Sequence, residues 1–129
     1  MPDLMKSIKK NKKIKYIYIL VPMFSLICTI ESIFSQVFNR HLGGGHTHLF
    51  TEKSLKKFML KFAFKEHSSW WLGTDIDDLF RSFILQTKSK KFKPLEEVTI
   101  KSKKLIDNFQ LELDKKKLCS EVHMLLKRK

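Results

Sequence analysis

The sequence predicts a mainly α-helical protein: a hydrophobic N-terminal helix, a glycine linker, and a small Lys-rich module of three to four helices. Three observations carry that expectation. Fifteen uncharged residues, Tyr16–Ile30, follow a lysine-rich start. A Gly43–Gly45 run then interrupts all periodicity. Beyond it, apolar residues recur at helical spacing behind residues that cap helices.

The first element is read as a targeting segment. Residues 1–15 hold six lysines against one acid, Asp3, and the run YIYILVPMFSLICTI has no charge. As a helix it spans about 22 Å at ~1.5 Å per residue, short of a ~30 Å hydrocarbon core. That length suits a signal peptide, and a transmembrane helix reaching Phe38 would have to bury Glu31. Cleavage after Ser35, before Gln36, fits the signal reading. Either way residues 16–38 engage a membrane, the lysines stay cytoplasmic and the remainder crosses. The expected location is the secretory pathway, membrane-associated or secreted. A core helix opening a soluble protein is the other reading of such a run.

Residues 36–50 read as a linker. His41, His46 and His48 cluster there, yet no Cys/His pair of fixed spacing follows, so no metal or other cofactor is expected. Arg40-His41-Leu42, placed behind a recessed apolar signal, resembles the Arg-x-Leu host-targeting motif of proteins exported by malaria-type parasites. The family pattern has an acidic or amide residue where Gly44 stands. The resemblance implies a protease cut after Leu42.

Residues 51–129 form the expected module. Thr51 caps a helix whose apolar face is Leu55, Phe58, Met59, Phe62 and Ala63. Ser68–Gly73 reads as a turn. Thr74 caps the next helix, with Asp75, Asp77 and Asp78 against its positive end and Ile76, Leu79, Phe80, Phe83 and Ile84 inward. Lys88–Lys93 is a basic loop, and Pro94 suits a first helical turn. Residues 95–114 fit a helix or a hairpin. Leu118, Val122, Leu125 and Leu126 mark a final helix, which would set Cys119 one turn from His123.

No catalytic constellation emerges. The Cys119–His123 pair lacks an orienting third group, and no apolar strand leads into the aspartates. The chain carries 26 basic and 13 acidic residues, +13 in all, and only Arg40, Arg81 and Arg128 are arginines. Hydrated lysines favour diffuse attraction over base readout, so specific nucleic-acid recognition is disfavoured. The expected function is binding to an acidic protein or an anionic membrane surface through Lys56, Lys57, Lys90, Lys91 and Lys115–Lys117. Trp70 or Trp71, whichever faces outward, is the preferred short-range contact. An accessory subunit of a membrane complex and a cytosolic nucleic-acid-binding protein are the alternatives.

Overall fold

The computed structural model describes residues 2–35, 37, 39–43, 45–89 and 93–129. Its elements run α1 (Pro2–Lys10), β1 (Tyr16–Pro22), α2 (Leu26–Ile33), α3 (Glu52–Lys61), β2 (Phe64–Leu72), α4 (Asp75–Ser89), α5 (Lys93–Lys101), α6 (Lys103–Lys115) and β3 (Glu121–Arg128). The mainly α-helical expectation is therefore wrong. Three strands form one sheet in the order β1-β3-β2, with β3 antiparallel to both neighbours.

The largest correction concerns Tyr16–Ile30. This run is not a signal or anchor helix but a strand, a break and a short helix. Among the described residues no helix is long and apolar enough to cross a membrane. Tyr, Ile and Val suit a pleated surface. Val21 is buried and Ile17 and Ile19 pack against the core, while Tyr16, Tyr18 and Leu20 lie exposed on the other face. Pro22 closes the strand, and its ring is unsuited to a helix interior. Glu31, taken as the stop of the apolar run, is buried and accepts the backbone N–H groups of Arg40, His41 and Leu42 at 2.8–3.1 Å.

The closing segment is the second correction. It is strand β3, with Val122, Met124 and Leu126 fully buried at two-residue spacing. The Ser68–Gly73 turn is the third, because β2 continues through Leu72 with a register shift between Glu66 and Ser68. Residues 95–114 fall within helices α5 and α6.

One face of the sheet carries the core. Met5 of α1 and Leu55 and Met59 of α3 cover Val21, Phe64, Val122, Met124 and Leu126. Residues 2–10 thus belong to the folded body. Arg128 fixes them by donating to the carbonyls of Ile8, Lys9, Asn11 and Ile14 at 2.8–3.1 Å, where a cation complements a helix C-terminus. Thr51 and Ser54 exchange side-chain-to-backbone bonds at the start of α3, which accounts for its clear sequence signal. A smaller cluster, Ile76, Ile106 and Leu113 with Phe80, joins α4 to α6.

Burial sets the expected cost of substitution. Leu126→Ala, at a fully buried position, is expected to cost about 2–5 kcal/mol in urea unfolding. Leu111→Ala, at a half-exposed position, should stay within about 0.5 kcal/mol.

Candidate interaction surface

β1 and β2 run parallel, flanking β3, so their carboxyl ends and the start of β3 share one end of the sheet. The acids gather there. Asp75, fully buried at the start of α4, accepts from the Ser25 hydroxyl at 2.6 Å, the Ser120 amide at 3.0 Å and the Gln110 amide nitrogen at 3.4 Å. Gly73 makes room for this knot, since a Cβ there would lie 2.3 Å from Asp75 Oδ2 and 2.9 Å from Ser120 N. Arg40 donates to Asp78 at 2.6 Å, Thr74 at 2.8 Å and Glu121 at 3.3 Å, closing the loop over the strand ends.

The polar groups at this end bond one another. Burial, with the Asp114 and Asp75 carboxylates nearby, pushes the Cys119 thiol up to about 12. Cys119 precedes β3 and is not on a helix with His123; its thiol turns to the Glu121 carbonyl at 3.6 Å, whereas His123 Nδ1 bonds the Tyr18 hydroxyl. No thiolate–imidazole pair exists here. Asp75 and Asp78 are engaged in hydrogen bonds, as acids opening a helix. Among the described residues no group of three or more His, Cys, Asp or Glu is placed to hold a metal ion.

The opposite end is basic. The Lys9–Lys15 segment, Lys61, Lys65 and Lys127–Lys129 converge where β1 and β2 begin and β3 ends. Lys12, Lys15, Tyr16, Lys127, Arg128 and Lys129 line a depression of about 440 Å³ there. Lys127 Nζ stands 5.8 Å from the centre of the Tyr16 ring, within reach of its π face.

Between these ends lies the sheet face opposite the core. Its exposed apolar side chains, among the described residues, are Tyr16, Tyr18 and Leu20 of β1 and Trp70 and Leu72 of β2, with exposed Lys65, His67 and Lys127 beside Tyr16. Trp70 stands opposite His123, which in turn stands opposite Leu20, and the Tyr18 hydroxyl bonds His123 Nδ1. A row of aromatic and aliphatic groups thus crosses all three strands.

The residues read from sequence as contacts are dispersed. Trp70 is 55% exposed, whereas Trp71 turns to the core side with Lys117 Nζ 5.1 Å from its ring. Lys56 and Lys117 meet Trp71 around a cleft of about 50 Å³ and Lys56 pairs with Glu52, whereas Lys57 is simply exposed. Lys115 bonds Glu112 at 2.7 Å beside exposed Lys116. Lys90 and Lys91 lie outside the described residues, as does Gln36. Ser35 and Leu42 are exposed, but Arg40 is consumed by its ion pairs. The sequence reading did not place the basic segment beside β1 in the folded body, because its lysines were assigned to a leader. No family model matches the chain, and neither a curated protein nor a solved structure does.

Two outcomes follow from the acidic end. Asp75→Ala should destabilise the protein by about 2–4 kcal/mol in chemical denaturation, because buried donors lose their acceptor. His41 is buried, neither ring nitrogen has a hydrogen-bond partner among the described residues, and burial holds its pKa below the usual histidine range despite Glu31. The unfolded chain therefore takes up the proton first. Stability from this site is full above about pH 6.5 and is lost as the pH falls toward the folded-state value. Thermal melts from pH 7 to 5 should fall less steeply for His41→Leu than for the parent.

Proposed function

We propose that this chain is a binding module for an acidic protein partner, which it meets at its basic end. The observation that carries the reading is the segregation of charge along the sheet. Glu31, Asp75, Asp78 and Glu121 are drawn to one end by Arg40 and buried donors. The lysines of the other end face few acids, Asp3 and Glu66 among them. The Lys9–Lys15 segment with Lys61, Lys65 and Lys127–Lys129 gives that end a positive field, and such a field accelerates encounter with an anionic partner. Lysine alone supplies little affinity per pair. The exposed Tyr16, Tyr18, Leu20 and Trp70 beside it offer the short-range contact.

A second reading draws on the same neighbourhood. Tyr16 and Tyr18 beside Lys12, Lys15 and Lys127 could stack bases of a single strand while the lysines hold phosphates.

Titration calorimetry with polyglutamate and with a single-stranded oligonucleotide separates them. The acidic-protein reading predicts polyglutamate binding that weakens roughly tenfold or more in Lys12/Lys15/Lys127/Lys129→Gln. It also predicts no tryptophan or tyrosine quenching by the oligonucleotide. Stronger binding to the oligonucleotide, with quenching, would replace it by the nucleic-acid reading.

A further inference from the structure

The open sheet has two edges, and they are built differently. β2 is guarded: it carries Lys65, Glu66 and His67 and is bent by the register shift before Ser68. Charges and bulges of this kind keep an edge from pairing with other chains. β1 has none of them. From Tyr16 to Val21 it is aromatic and aliphatic throughout, and only Pro22 at its end lacks a donor.

The ladder settles which backbone groups of β1 face away from β3. The Met23 amide donates to Ser120 O at 2.7 Å and the Arg128 amide to Lys15 O at 2.8 Å. Antiparallel pairing alternates from these anchors. Ile17, Ile19 and Val21 therefore bond to β3, and the amides and carbonyls of Tyr16, Tyr18 and Leu20 point outward.

The outer lane is already used at one end. Phe50 bridges Met23 there, its amide donating to Pro22 O at 3.0 Å and its carbonyl accepting from the Phe24 amide at 2.7 Å. What remains is a slot alongside Tyr16–Leu20, about 17 Å long at ~3.3 Å per residue. It is closed by Phe50 on one side and opens among Lys12, Lys13 and Lys15 on the other. Ile17 and Ile19 are only partly buried, so an added strand would find apolar neighbours on both faces.

We infer that this slot takes a strand from the partner: an extended segment of about five β-branched, largely apolar residues with acidic residues at the end lying beside Lys12 and Lys15. The inference rests on the reading of an acidic protein partner. The charge at the slot's mouth selects such a segment over a second copy of this +13 chain.

The test uses the full chain, ¹⁵N-labelled, with the peptide Glu-Glu-Glu-Thr-Val-Ile-Val-Thr and the same peptide N-methylated at alternate residues. Methylation at the alternate residues whose amides would face β1 keeps the charge and removes the donors to that edge. The strand-addition slot predicts that the plain peptide slows exchange of the Tyr16, Tyr18 and Leu20 amides, and that methylation weakens binding roughly tenfold or more. Equal, salt-sensitive binding of both peptides would overturn the slot and leave the acidic-partner reading intact. Binding of neither would overturn both. Concentration-dependent protection of those amides without peptide, with a dimer in sedimentation, would assign the slot to a second copy instead.

Discussion

Everything in this molecule depends on the backbone pairing of its last strand. β3 lies between β1 and β2, so two strands about a hundred and about fifty residues away in sequence are joined by backbone pairing only through it. The outer strands meet directly through side chains, the Tyr16 and His67 rings standing edge to face with centres 5.7 Å apart. Residues 121–128 therefore close the sheet, bury Val122, Met124 and Leu126 at its centre, and bring Arg128 to the end of α1. Such long-range pairing is entropically costly to close and is rewarded only when the chain is nearly complete.

The charge distribution is a consequence of the same arrangement. Because β1 and β2 run parallel, the segments entering them share one end, and those segments are rich in lysine. The segments leaving them share the other, where Asp75 ties Ser25 to Ser120 and Arg40 joins Asp78 to Glu121. Burial at that end demands pairing, since an unmatched carboxylate there would be costly. The exposed lysines carry no such demand. At one end the buried carboxylates are thus paired within the fold, and the other end keeps its lysines exposed.

Local signals in the sequence were legible where local physics decides. The Thr51 cap and the 3–4 spacing after it mark α3, and Thr74 with its aspartates marks α4. Where a distant partner decides, they were not. Tyr16–Ile30 reads as one apolar helix by length alone, because nothing nearby reveals that Leu125 stands opposite Tyr18. The final segment satisfies two periods at once: Leu118, Val122 and Leu125 fit a helix, whereas Val122, Met124 and Leu126 fit a strand. Alternation implies that only one of Trp70 and Trp71 faces out; which one follows from the register opposite His123. The free edge of β1 could not be seen at all until β1 was known to be a strand.

The direct test of this account is nuclear Overhauser contact between α protons across β1 and β3. Non-hydrogen-bonded antiparallel pairs bring these protons closest. Strong contacts between Tyr16 and Lys127, Tyr18 and Leu125, and Leu20 and His123 are the predicted result. Contacts from each residue of 16–30 to the third and fourth residue along, with none to 121–128, would contradict it.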